Sequence, residues 1–254
     1  MPKGPNHSAA DLAAARRPLS CFHCTSREQA EWCVLKDDDL QLLTRVKVAN
    51  TYRPGQVIFY QGNPCLGLYC IESGTVALRK SDPSGASALL RMAHGGDTLG
   101  YRTFFAGGAY HASAEVLTEA RVCFIDRAAV EGLLQHNPAL GHRFIMRMAD
   151  ALAKAEDAQL QMLALPVRAR LSHLLLVLKD RFATVDDEGI MRIELPLARQ
   201  DMAAMIGARP ETIARAIKAL ERDQVATFEQ RTVVVPDLDA LLNEIEPGAL
   251  VDEE

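Results

Sequence analysis

Two sets of residues in this chain have the types and spacing that chemistry requires. The first is Cys21-Phe22-His23-Cys24 with Cys33 beyond it, which puts three of the six cysteines within thirteen residues. In a reducing compartment such clustering argues for metal or redox chemistry over structural disulfides. Three thiolates in a short polar segment can hold one face of an iron–sulfur cluster, with a fourth ligand supplied from elsewhere. The same thiols with His23 also suit a zinc ion, and without metal they suit a thiol switch. The second set is Glu211, Ala214, Arg215 and Lys218, which share one side of a helical stretch whose other side is Ile213, Ile217 and Leu220. A carboxylate accepts from cytosine N4, a guanidinium donates to guanine O6 and N7, and an ammonium reaches a phosphate. That is major-groove chemistry, although a charged solvent face on an amphipathic helix carries the same pattern.

The elements around the second set decide between those readings. Met202, Met205 and Ile206 have helical spacing, Gly207 suits a tight turn between crossing helices, and Pro210 fits the first turn of the next helix. Two short β-prone runs, Val225–Phe228 and Thr232–Val235, follow around Glu229, Gln230 and Arg231. This order is that of a winged helix-turn-helix, and the segment from Leu197 to Pro236 resembles the DNA-binding domain of the Crp/Fnr superfamily of bacterial transcription regulators. The family's recognition helix carries a Glu, then a small residue and an Arg three and four positions later; Glu211, Ala214 and Arg215 occupy those places. Pro-Glu-Thr-Ile-Ala-Arg is closer to the Fnr and nitrogen-oxide-regulator branches than to the cyclic-AMP branch, which has an Arg where this chain has Pro210. The resemblance implies a homodimer on a pseudo-palindromic, TTG-containing stretch of double-stranded DNA, with RNA polymerase as a further partner. Glu211 and Arg215 would read base edges, Ala214 would meet a thymine methyl, and Arg199, Gln200, Thr212 and Lys218 would hold phosphates.

Between Val46 and Arg127 short apolar runs are broken by Gly and Pro: Gln56–Tyr60, Gly67–Ile71, Gly74–Leu78, Ala88–Met92 and Val122–Ile125. Even spacing of this kind reads as an antiparallel barrel or jelly roll. It resembles the cyclic-nucleotide-binding β-roll, with Gly55, Gly62, Gly74 and Gly96 at its turns. The family's nucleotide pocket uses a Gly-Glu-Leu segment and a following Arg-Ser or Arg-Thr pair. Here the matching places hold Gly100-Tyr101-Arg102 and Tyr110-His111-Ala112-Ser113-Ala114, which lack the carboxylate and the Arg, so cyclic AMP is not the expected ligand. Fnr-type oxygen sensors instead bind a [4Fe-4S] cluster through an N-terminal Cys trio and one Cys late in the sensor domain. The resemblance implies that Cys21, Cys24, Cys33 and Cys123 are the ligands, with a gap of eight residues between Cys24 and Cys33 that is longer than the family's. Cys70 reads as a small buried hydrophobe and Cys65 as a loop thiol. His94 and His111, each alone, are the residues a haem would use, the runner-up cofactor.

From Pro138 to Leu165 the chain has no internal Pro and abundant Ala, Met and Leu, a long helix by propensity. Ile145, Met148, Leu152, Ala155, Gln159 and Met162 alternate three and four apart, as in a two-stranded coiled coil; the alternative is a helix packed on its own domain. Ala155 and Gln159 weaken that seam. The expected architecture is α+β: an N-terminal arm (1–18), a Cys-rich segment with the β-roll sensor (19–137), a dimerisation helix (138–165), a winged helix-turn-helix (166–236) and an acidic tail (237–254). The tail holds seven acids and no Lys or Arg, so a net charge of -5 becomes +2 over the rest of the chain. Affinity for DNA is therefore expected to rest on placed contacts and symmetry, not on a broad positive field. There is no apolar run near the ~20 residues of a membrane span and no signal-peptide core, so a cytoplasmic protein is expected. No Gly-rich phosphate loop, Gly-x-Ser-x-Gly elbow or His-Glu-x-x-His motif occurs, so no enzyme is expected. A regulator that acts without any effector is the remaining alternative.

Overall fold

The computed structural model describes residues 20–83 and 87–245. The expected arm at 1–18 and the last nine residues of the acidic tail lie outside them. The Cys-rich segment folds as three successive 3-10 turns, Cys21–His23, Thr25–Gln29 and Glu31–Val34, and leads into helix α1 (Asp37–Val46). The roll follows: β1 (Val48–Tyr52), β2 (Val57–Phe59), β3 (Gly67–Ser81), β4 (Ser87–His94), β5 (Thr98–Leu99), the short helix α2 (Tyr101–Ala106) and β6 (Ser113–Asp126). Its sheet has the order β1-β6-β3-β4, with β2 on β6 and β5 on β3, and every pairing is antiparallel.

The runs Gly67–Ile71 and Gly74–Leu78 are one strand, not two. Gly74 sits at φ +87, where a Cβ would come within 2.3 Å of the Glu119 carbonyl, and register shifts on either side absorb the irregularity without breaking the ladder. The first core gathers Leu68, Ile71, Leu99, Ile125, Leu133 and Leu140 with Trp32 from the Cys-rich segment and Phe144. The N-terminal segment is thus built into the core of the roll.

Helix α3 (Arg127–His136), capped by Asp126 Oδ1 accepting from the Ala129 N–H, turns into the long helix α4 (Pro138–Ala164). Pro138 sits in its first turn, and it stops before Pro166, which forces Leu165 into extended backbone. Helix α5 (Val167–Phe182) then supports a second sheet of order β7-β8-β10-β9, from β7 (Ala183–Val185), β8 (Met191–Glu194), β9 (Thr227–Glu229) and β10 (Thr232–Val235). Between β8 and β9 lie α6 (Arg199–Met205) and α7 (Pro210–Arg222). The second core unites Leu171, Leu175 and Leu178 of α5 with Met202, Ile213, Ile217, Leu220 and Val233.

The acidic tail is folded in its first part. Leu238, Leu241 and Leu242 have helical spacing and make α8 (Leu238–Asn243), with Leu241 fully buried. Glu244 just beyond it accepts from Arg168 of α5, which also pairs with Asp223, so that carboxylate clamps the domain and is not a solvated charge. The two halves touch: Ala77 and Leu89 of the roll belong to the second core. Arg79 reaches Glu115 within the roll and Asp201 of α6, each at 2.5 Å. Among the described residues no helix is long and apolar enough to cross a membrane.

Candidate functional site

A cleft between the Cys-rich turns and the roll collects thiols. Its walls include Cys21 from the first turn and Cys24 between the first and second turns, Cys123 from β6 and Cys70 from β3, with Arg27, Lys47 and Glu72 among their neighbours. Cys33 is not one of the lining residues. It lies on the third turn beside Trp32, half-buried. Three of the four expected ligands are therefore brought together, the fourth is not, and a thiol read as core packing takes part instead. Cys65 is buried elsewhere, its Sγ 3.4 Å from the Gly67 carbonyl. Nothing local in the sequence marks Cys70; its place follows from strand pairing with Cys123.

The cleft sets the cations Arg27 and Lys47 among its thiols, with the Glu72 carboxylate on the same wall. Burial pushes the Cys70 thiol well up and the Cys123 thiol up, with Lys47 opposing the shift at Cys123. Burial acts to lower the Lys47 ammonium, but the thiols of Cys123 and Cys21 beside it hold it above its ordinary value. The Nε of Arg27 is buried without a hydrogen-bond partner among the described residues. Two cations thus stand beside four thiols. Among the described residues no three Cys, His, Asp or Glu groups converge closely enough to share one metal ion. Thiols spread over the walls of one cleft suit a polynuclear cluster, whose separate irons each take a thiolate.

The segment between Cys24 and Cys33 is tied to the long helix. Glu31, with a side chain only 4% exposed, accepts from the Nε of Arg147 at 2.5 Å and from the hydroxyl of Thr98 at 2.5 Å. Arg147 also pairs with Asp97 at 2.8 Å. Trp32 donates its Nε1–H to Thr98 Oγ1 and meets Phe144 edge to face at 5.7 Å. Two residues of the Cys loop therefore grip α4 near its start.

The residues expected to face DNA lie along the exposed side of α7 and at the start of α6. Gly207 adopts φ +62 in the turn and Pro210 opens α7, with Arg209 extended before it. Ile213, Ala216, Ile217 and Leu220 are buried, while Glu211, Ala214, Arg215 and Lys218 are exposed on the other side and Thr212 is half-buried. Arg199 and Gln200 at the start of α6 are exposed too. Along α4, Ile145 and Leu152 are each 61% exposed and Met162 is 45% exposed; Ala155 and Gln159 are also exposed and Met148 is partly buried on the first core. An apolar stripe this open on a single chain is a surface for association.

A second cavity opens in the roll, walled by Phe59, Leu78, Leu90, Arg91, Tyr101, Arg102, Tyr110 and His111. No carboxylate lines it, so the group that would hold a ribose hydroxyl is lacking. Cationic charge is present nonetheless: burial lowers Arg91, and neither Arg91 nor Arg102 has a hydrogen bond or ion pair with the described residues.

The histidines weighed for haem are not brought together. His111 is exposed at that cavity. His94 lies against Phe182 at the contact with α5, its Nδ1 3.2 Å from Thr75 Oγ1. Burial, then Arg181 and Arg91, outweigh Asp97 and push His94 down to about 4. Its folded value lies below the unfolded ~6.5, so the unfolded chain binds the extra proton and stability falls as pH drops from ~6.5 toward ~4, by at most about 3 kcal/mol. Urea unfolding at pH 7 and pH 5 should show this loss in the wild type and a flatter profile in His94→Gln; an unchanged pH slope in the variant would assign the acid sensitivity to other groups.

Comparison with known proteins agrees with this layout. Residues 49–137 match the cyclic nucleotide-binding domain and residues 169–244 the Crp-like helix-turn-helix domain. Transcriptional activator protein FnrL of Cereibacter sphaeroides is 27% identical over 228 residues, covering 88% of this chain and 91% of that protein. A CRP-like cAMP-activated global transcriptional regulator of Mycobacterium tuberculosis is 27% identical over 187 residues, 74% of this chain and 83% of its own. The solved structure of FixK2 from Bradyrhizobium japonicum superposes with a TM-score of 0.68 at 22% identity, over 80% of this chain and all of that one.

Proposed function

The chain belongs to the Crp/Fnr family of DNA-binding transcription regulators, and we propose that it acts as a homodimer under the control of an iron–sulfur cluster that responds to oxygen, nitric oxide or redox state. The observation that carries this reading is the cleft in which Cys21, Cys24 and Cys123 meet beside Lys47 and Arg27. A [4Fe-4S] cluster bound there would supply a covalent tie between the N-terminal turns and the roll, one that reaction with oxygen or nitric oxide removes.

The chain's own residues then carry the signal. With the turns held to β6, Glu31 and Trp32 are fixed against Arg147, Thr98 and Phe144, which sets the start of α4. Release of the turns weakens that grip on the helix whose Ile145, Leu152 and Met162 face a second copy. A seam weakened by Ala155 and Gln159 is easily shifted in population by a change at one end. At the other end Met162 packs at the Gly207 turn, 3.4 Å from where a Cβ would stand. The geometry of α4 thus reaches the recognition helices, which would enter successive major grooves of an inverted repeat about one helical turn apart and present the dimer to RNA polymerase.

The test is to purify the protein without air and measure iron, acid-labile sulfide and operator affinity before and after exposure. About four irons and four sulfides per chain, lost in air together with operator affinity, are expected, and Cys123→Ser should lose both the iron and the anaerobic gain. Full operator binding by iron-free protein would sink the cluster reading. A second reading, a small organic anion in the roll as the signal, is favoured by the unpaired Arg91; it requires that operator binding respond to such an anion in iron-free protein and that Arg91→Gln remove the response.

A further inference from the structure

Resting on the cluster reading above, we propose that the fourth thiolate is Cys70 of β3, and that Cys33 is not a ligand. The ligand set is then Cys21, Cys24, Cys70 and Cys123, two from the N-terminal turns and two from the sheet.

Cys70 stands directly opposite Cys123 in the β3–β6 ladder. Opposed residues of an antiparallel pair put their side chains on one face, with Cβ atoms about 4.5–5.5 Å apart. That spacing is fixed by the hydrogen bonds of two long strands, so half the ligand set is held in place before any metal arrives. Cys21 and Cys24 close the same cleft from the other side.

The reason Cys33 stays out is its neighbours. On a 3-10 turn successive side chains point about a third of a turn apart, and Trp32 is the residue of that turn that lines the cleft. Turning Cys33 inward would unseat Trp32, 2% exposed and bonded to Thr98, and pull Glu31 off Arg147. Burial of a Trp and of a paired carboxylate each outweigh what one thiolate gains over an equivalent thiolate already in position. The long gap between Cys24 and Cys33 fits this division of labour: those residues build the contact to α4, not a ligand loop.

The experiment uses the full-length protein, loaded with iron and sulfide without air, as wild type, Cys33→Ser and Cys70→Ser. Iron and sulfide per chain and the visible absorption of the bound cluster are the readouts. Cys33→Ser should keep the wild-type content, and Cys70→Ser should fall several-fold with loss or change of the absorption band. Wild type that takes up no iron would overturn the cluster reading itself. Iron-loaded wild type with a full complement in Cys70→Ser, or its loss in Cys33→Ser, would overturn only the assignment of Cys70. To remove any dependence on how the variants fold, iron-loaded and iron-free wild type are alkylated without air and mapped by mass spectrometry. Cys33 should be labelled equally in both; protection of Cys33 that appears only with iron would overturn the proposal.

Discussion

Replacing Arg147 by Ala should destabilise the sensor half by about 3 kcal/mol and disconnect the state of the cysteine cleft from DNA binding. The reason is the carboxylate it leaves behind. Glu31 is 3% exposed and has two partners, Arg147 and the hydroxyl of Thr98, so removal of the guanidinium strands a buried charge with one neutral hydrogen bond. Breaking a buried pair in this way costs roughly 3–5 kcal/mol, and the lower end applies because the Arg147 and Asp97 side chains are 22% and 20% exposed. Asp97 loses a partner at the same time. Neutralising both sides, as Glu31→Gln with Arg147→Met, should recover most of the stability because the deeply buried Glu31 charge is gone and only Asp97, 20% exposed, is left without its guanidinium, but it should not recover the response to air. Urea unfolding of the wild type, Arg147→Ala and the double variant measures the first effect, and operator affinity with and without air measures the second. A loss under 1 kcal/mol in Arg147→Ala, or an intact air response in the double variant, would show that this network does not join the turns to α4.

The helix-turn-helix was legible in the sequence because its decisive features are local. Gly207 at positive φ and Pro210 in the first turn of α7 act on their own backbone, and Ile213, Ile217 and Leu220 bury by simple periodicity. The same holds for α4, whose ends are set by Pro138 and Pro166. The roll was legible as a class of fold but not strand by strand. Gly74 reads as a break, yet strand pairing carries β3 through it with a bulge, since fourteen residues of β6 alongside supply the missing order.

The thiol cleft was legible only in part, for a related reason. Sequence spacing showed the N-terminal trio, and resemblance added Cys123, but the neighbour of Cys123 is set by a pairing register that spans more than fifty residues of chain. An apolar stretch such as Leu68-Tyr69-Cys70-Ile71 gives a buried thiol and a ligand thiol the same local signature. The grip of Glu31 and Trp32 on α4 was hidden likewise, because it joins positions more than a hundred residues apart. The folded start of the acidic tail was missed through attention to charge: the leucines between the acids decide its fate.

Arg215→Ala should weaken binding to the intact operator by about 1–3 kcal/mol per half-site, hence about 2–6 kcal/mol for a dimer that uses it twice, and relax the requirement at one base pair in each half. Folding stability should stay within about 0.5 kcal/mol of wild type, because Arg215 is exposed and makes no hydrogen bond or ion pair with the described residues. Lys218→Ala supplies the contrast. An ammonium on a phosphate contributes equally to every sequence, so its loss should weaken all sites alike and lower the slope of log affinity against log salt by about 1 per contact. The two variants thus separate reading from holding on one exposed helix face. Affinities on the operator, on single-base variants of each half-site and on unrelated DNA decide the matter, at two salt concentrations. If Arg215→Ala weakened every sequence equally and reduced the salt slope, Arg215 would be a phosphate contact. Base reading would then fall to Glu211 and its neighbours at the N-terminal end of α7.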